Sequence, residues 1–194
     1  EPEPALRQVR VEHTRQSLTL AHRLGARTVT TEPGGPVPEG MDRDVAWRYL
    51  LEGLKPVLEH AAREGVMLLI EPEPGLLLET AEDYLALRAQ MDSPWLGLNV
   101  DIGHFFCVGQ DPADMTRRLA GEVRHFHFED IAATREHHHL IPGEGVIDFA
   151  AIARAQEAIG YEGWVTVELY PYVDQPIQAA RTALERLTPI FREQ

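Results

Sequence analysis

Apolar residues in this chain fall into two alternating kinds of run. Stretches with apolar positions three and four apart predict amphipathic helices, and short β-branched or apolar runs closed by an acid, Gly or Pro predict strands. Residues 4–24 carry Leu6, Val9, Leu18, Leu20, Ala21 and Leu24 at candidate buried positions of a helix, and Gly25 marks its stop. Residues 26–31 read as a strand ending at Glu32, followed by a breaker-rich loop that suits a lid or a surface excursion equally. Asp42 or Asp44 caps a helix to about Glu64, with Trp47, Leu50, Leu51, Leu54, Val57, Leu58 and Ala61 on one face. Pro56 lies inside it and predicts a kink or interruption.

The alternation then repeats. Residues 66–70 predict a strand ending at Glu71, and Thr80 with Asp83 resembles a capping box for a helix to about Met91. Residues 96–100 predict a strand that stops at Asp101, Gly103 and His104. Asp111-Pro112 starts a helix to Leu119, and residues 123–128 form the fourth strand, followed by Glu129 and Asp130. A long loop over 131–146 holds Arg135, His137, His138, His139 and Pro-Gly-Glu-Gly. Asp148 caps a helix to Ile159, residues 164–167 form the fifth strand before Glu168, and Asp174 starts a terminal helix with Ile177, Ala180, Leu184 and Leu187 as its buried face. Five near-continuously apolar strands alternating with helices imply an α/β fold with a parallel sheet or barrel, in a single domain over 1–194.

Composition narrows the partners. A formal net charge of −13 over 194 residues disfavours nucleic acid and anionic membrane surfaces. The one cysteine, Cys107, excludes an intrachain disulfide. No apolar run approaches the roughly 20 residues of a membrane span, so a cytoplasmic protein is the default expectation.

The strand ends carry the chemistry. Glu71, Asp101, His127 and Glu168 each fall at or just beyond the end of a predicted strand, where parallel α/β sheets and barrels place their ligands. Each has a bland reading alone: a loop cap, a turn, a satisfied core histidine, a partner for an arginine. Together, three carboxylates and an imidazole repel one another unless a divalent cation neutralises them. The oxygen-rich set suits Mn²⁺, Mg²⁺ or Co²⁺ and tolerates Zn²⁺. His104 is better placed for a substrate hydroxyl than for the same ion, and Arg135 either holds substrate or is solvated. His137, His138 and His139 are either further metal ligands or a surface run, with the surface reading weighing more for His137 and His138.

Five motifs carry a resemblance: Leu-Leu-Ile-Glu71, Asn99-Val-Asp101-Ile-Gly-His104, His125-Phe-His127-Phe-Glu-Asp130, Pro142-Gly-Glu-Gly145-Val-Ile-Asp148, and Gly160-Tyr-Glu-Gly-Trp-Val-Thr-Val-Glu168. In this order they are similar to those of the xylose isomerase-like TIM barrels, the sugar-phosphate isomerase/epimerase superfamily. The resemblance implies one divalent ion held by Glu71, Asp101, His127 and Glu168. It also implies that Glu71 and Glu168 are the catalytic acid and base, acting through a metal-stabilised enediolate, and that His104 binds a small carbohydrate. Many members have Lys where this chain has Glu129, which puts a lysine-dependent isomerisation in doubt. The five strands match the fourth to eighth of an eight-stranded barrel. The expectation is therefore the C-terminal five β/α units, with the first three either missing from this sequence or replaced by a second chain, and a homo-oligomer is compatible with that. The alternatives are a dehydratase of a cyclic polyol or keto acid, a type IV AP endonuclease, and a non-catalytic metal- or sugar-binding barrel. The endonuclease reading conflicts with the acidic balance and with Glu32-Pro33-Gly34, where that family has His-Pro-Gly.

Overall fold

Most helices in this chain begin at a side chain that takes up an orphaned backbone N–H group, and the two longest stop at a glycine in the left-handed region. A computed structural model describes residues 1–192, and its contacts divide into two units, Glu1–Asn99 and Val100–Gln194. Among the described residues, no helix is long and apolar enough to cross a membrane.

In the first unit, α1 (Pro4–Leu24) has Pro at its first position, and Gly25 closes it in the left-handed region at φ 75°, a conformation costly for any residue with a Cβ. α2 (Arg43–Glu64) starts at Asp42, whose carboxylate accepts the Asp44 N–H at 2.7 Å. Helix α2 runs unbroken past Pro56 to Glu64, so the predicted interruption does not occur. α1 and α2 pack together, with the Thr19 hydroxyl donating to Glu64 at 2.8 Å. The strands β1 (Thr28–Thr31), β2 (Met67–Ile70) and β3 (Leu96–Asp101) are parallel. Thr31 lies beside Ile70, and Ile70 beside Leu98. α3 (Ala81–Gln90) has the full capping box of Thr80 and Asp83 that the sequence predicts. β3 runs on into the second unit with its last two residues.

The second unit continues with α4 (Ile102–Cys107), α5 (Pro112–Arg118), β4 (Val123–Phe128), α6 (Phe149–Ala158), β5 (Val165–Val167) and α7 (Pro176–Arg192). β4 and β5 are parallel, with His127 beside Thr166 and Phe128 beside Val167. Phe126 and Phe128 turn to the buried side of β4, where Phe128 meets Phe149 of α6.

Several sequence expectations need correction. β1 begins at Thr28 rather than residue 26, and β5 at Val165, leaving Trp164 outside the strand and 84% exposed. The strands are not near-continuously apolar, since Arg124 and Thr166 are exposed on β4 and β5. On α1 only Leu18 and Ala21 are buried, while Leu6, Val9, Leu20 and Leu24 are exposed. On α2, Trp47, Leu50 and Leu51 are only half-buried. On α7 the buried face is Ala179, Ala183 and Leu187, not the predicted stripe; of that stripe only Leu187 is inside, and Ile177, Ala180 and Leu184 are exposed. Alanines let α7 approach Ile141, and a larger side chain on that face would hold it away. Helix α4 was not foreseen.

Candidate metal centre

Asp101 ends β3 and caps α4 at once. Its Oδ1 accepts the His104 N–H at 2.8 Å, which turns the chain from strand to helix within one residue. The turn needs Gly103, because a Cβ there would run into the Glu129 carboxylate. Asp101 and His104 are both buried, and His104 Nδ1 lies 3.8 Å from Asp101 Oδ1.

His127 occupies β4, and the neighbouring strand delivers Glu168 one residue past its end. The Glu168 N–H donates to the Phe128 carbonyl at 3.0 Å, extending the β4–β5 ladder. His127 Nδ1 lies 3.2 Å from Glu168 Oε2. The hydrogen bond from His127 is the main influence that holds the Glu168 carboxyl below its usual range, against burial, with help from the charges of His127, His139 and His104. Asp101, His127 and Glu168 each offer a ligand atom, and these lie within 4.8 Å of one another. Two carboxylates and one imidazole fit a divalent cation of the kind expected from the sequence.

Glu71 belongs to the first unit. It is buried directly after β2, and its N–H donates to the Thr31 carbonyl at 3.0 Å. The β2–β3 register puts it one step beyond the Ile70–Leu98 pair, level with Asn99. The Asn99 side chain is fully buried, and neither its nitrogen nor its oxygen has a hydrogen-bond partner. A buried amide in that state is exceptional in a native fold and calls for a partner.

Arg135 is not among the converging ligand atoms. It is exposed, takes the left-handed region at φ 60°, and holds its guanidinium 4.8 Å from the centre of the Phe106 ring. Of the three adjacent histidines, His138 is exposed and His139 is 1% exposed. His137 is half-buried, and burial lowers its pKa toward the neutral ring. The surface reading therefore holds for His138 alone.

Sequence reasoning missed Asp130 as the residue that shapes the loop. Its carboxylate, itself buried, accepts four backbone N–H groups: Ile131 at 2.9 Å, Gly143 at 2.8 Å, Gly145 at 2.9 Å and Ile147 at 3.0 Å. Gly145 is required there, since a Cβ would strike the Ile131 carbonyl and the Asp130 carboxylate. The Pro-Gly-Glu-Gly motif is thus a collar around one aspartate. The only sequence signal was the repeated glycines.

A family model described as xylose isomerase-like TIM barrel matches residues 1–190. Inosose dehydratase of Lacticaseibacillus casei is 29% identical over 174 residues, covering 76% of this chain and 58% of that protein. Fructoselysine 3-epimerase of Escherichia coli O157:H7 is 33% identical over 155 residues, covering 77% of this chain and 56% of that protein. The chain therefore spans less than two thirds of the length of these relatives. A crystal structure of a D-tagatose 3-epimerase-like protein aligns over 100% of this chain and 73% of that one, at 26% identity and a TM-score of 0.85.

Proposed function

The chain belongs to the xylose isomerase-like TIM barrel family, and from that premise we propose that it is part of a divalent-metal-dependent sugar or sugar-phosphate isomerase/epimerase. The observation that carries this reading is the convergence of Asp101, His127 and Glu168 at strand ends of one unit. Glu71 is assigned as the fourth ligand, supported by its burial at the end of β2 and by its strand register beside the orphaned Asn99 amide. A cation held there would supply Lewis-acid polarisation of a carbonyl and its neighbouring hydroxyl, acidifying the C–H between them.

The proton transfer itself falls to the chain. His127 keeps Glu168 ionised, and an ionised carboxylate can accept the proton from carbon. By the family resemblance, Glu71 is the partner acid that returns a proton to carbon and inverts the centre. His104, fixed by its place on α4, donates to a substrate hydroxyl, and Arg135 approaches from the loop. A dehydratase is the second reading, favoured by the similarity to inosose dehydratase: the same proton abstraction is followed by loss of a hydroxide instead of reprotonation.

The test is solvent deuterium entry into substrate carbon, with protein loaded with Mn²⁺, Mg²⁺, Co²⁺ or Zn²⁺, over a panel of keto-sugars, keto-sugar phosphates and inososes. Glu168→Gln is expected to slow exchange by about 10²–10⁴-fold, the usual contribution of a general base. Deuterium in a recovered epimer supports the first reading, and deuterium with an unsaturated product the second. No exchange from any panel member by metal-loaded wild type refutes both.

A further inference from the structure

We propose that Glu129 is a positioning residue of the candidate metal centre: it takes over part of the cap of α4 and so leaves one oxygen of Asp101 for a cation. The inference rests on the reading of Asp101 as a ligand. An aspartate at a helix N-cap offers its carboxylate to the N–H of the second or third helical residue, and its two oxygens can serve both. In α4 those residues are Gly103 and His104. Asp101 Oδ1 accepts from His104 at 2.8 Å, whereas the Gly103 N–H goes to Glu129 Oε1 at 2.5 Å, 26 residues further along the chain. Two amides of one helical turn are thus divided between two carboxylates, and Asp101 Oδ2 takes no part in the cap.

Glu129 is well held for this duty. It is fully buried, and the backbone on either side of it is fixed. The Phe128 carbonyl accepts the Glu168 N–H at 3.0 Å, and Asp130 exchanges two hydrogen bonds of 2.8 Å with Leu140. A carboxylate on so short and rigid a stretch has little freedom to leave the Gly103 amide. Gly103 meets it halfway, since a Cβ there would strike both the Glu129 carboxylate and the Ile131 side chain. Hydrogen bonds from helix N-terminal amides to a charged acceptor are about twice as strong as neutral ones, so the division is a favourable one.

Without Glu129 the Gly103 N–H would be a buried donor in need of an acceptor, and a helix N-terminus turns first to its own cap. Asp101 Oδ2 would then be drawn into the cap and away from a cation. Two other roles are open to a carboxylate in this place. An oxygen of Glu129 lies within 4.8 Å of one of Asp101, so it could act through charge alone. It could also be a plain clamp of α4 on β4. The three roles separate by experiment, because relieving the cap requires an acceptor within reach of Gly103 and an Asp101 carboxylate to relieve.

The full chain is stripped with chelator and titrated with MnCl₂ by isothermal calorimetry, each variant being checked for fold by circular dichroism. Glu129→Gln keeps the acceptor and loses the charge, Glu129→Asp keeps the charge and draws it back by one methylene, and Glu129→Leu removes both. Glu129→Asp and Glu129→Leu should weaken the ion about 10–100-fold, the usual effect of losing a group that orients a ligand. Glu129→Gln should stay within roughly twofold of wild type, the scatter of uncoupled changes. Should Glu129→Leu not fold, the other two variants decide. In an Asp101→Asn chain the one side-chain oxygen is already given to His104, so adding Glu129→Asp should cost no more than roughly a further twofold. A loss with Glu129→Gln equal to that with Glu129→Asp overturns the inference in favour of charge, and an undiminished loss in the Asp101→Asn chain overturns it in favour of a clamp. If every Glu129 variant binds like wild type while His127→Ala loses the ion, this inference falls and the proposed centre stands. No ion in wild type overturns both.

Discussion

Asp130→Asn isolates the hydrogen-bond collar from packing, because the two side chains have nearly the same shape. In the wild type, Oδ1 accepts from Ile131 and Ile147, and Oδ2 from Gly143 and Gly145. An asparagine keeps one acceptor oxygen and turns the other into an NH₂ donor, which faces two backbone N–H donors. Two hydrogen bonds to a charged acceptor are lost, at about 1.5–3 kcal/mol each, so the substitution should cost about 3–6 kcal/mol. That is a large part of the roughly 5–15 kcal/mol by which a domain is stable. For a chain of this length it corresponds to a fall in Tm of roughly 6–24 °C. Urea unfolding followed by circular dichroism measures the cost, and hydrogen exchange at the Gly143, Gly145 and Ile147 amides locates it. A variant within about 1 kcal/mol of wild type, with those three amides still protected, would refute the collar, since ordinary surface substitutions cost about that little.

Two further outcomes are expected from groups outside the site. Burial pushes the Tyr161 phenol up to about 12, and its hydroxyl donates to the Trp164 carbonyl at 2.8 Å. The unfolded chain loses this proton near pH 10 and the folded chain near 12, so stability from Tyr161 is complete below pH 10 and drains between the two values. Tyr161→Phe should flatten the alkaline stability profile in that window, and an unchanged slope in urea titrations would count against the assignment. On α7, Ala183→Leu should cost about 1–3 kcal/mol by overpacking a fully buried position. Leu184→Gln, at a residue 65% exposed, should stay within about 0.5 kcal/mol. Denaturant midpoints decide, and the reverse order would mean that the predicted stripe is the buried face.

Strand ends were legible because each breaks an apolar run with a group that an interior does not accept unpaired. Glu71, Asp101 and Glu168 stand at such breaks, and the structure places each within one residue of a strand end. His127 was legible by analogy of position, inside a strand whose other face is Phe126 and Phe128. The missed elements depend on contacts that no local period encodes. Helix α4 is six residues long and contains a glycine, and its start is set by the same Asp101 that ends β3. A reading that assigns one role to each residue stops at the strand. On α7 the period was right but the phase was wrong. Large apolar residues at 177 and 184 define one stripe and alanines at 179 and 183 another, and hydrophobicity alone prefers the larger ones. Close approach to Ile141 selects the smaller ones. Asp130 is the extreme case, since its partners lie up to 17 residues away and are all backbone amides. Any sequence can supply such amides; what this one supplies is glycine at 143, with φ 88°, and at 145, where no Cβ fits. Those two residues let the loop close on the aspartate, and the closed loop carries His137 and His139 toward His104. The chemistry of the second unit is therefore written partly in residues that touch no ligand. A Gly145→Ala chain should therefore lose protection at the Gly143 and Ile147 amides, measured by hydrogen exchange, although every candidate ligand is intact.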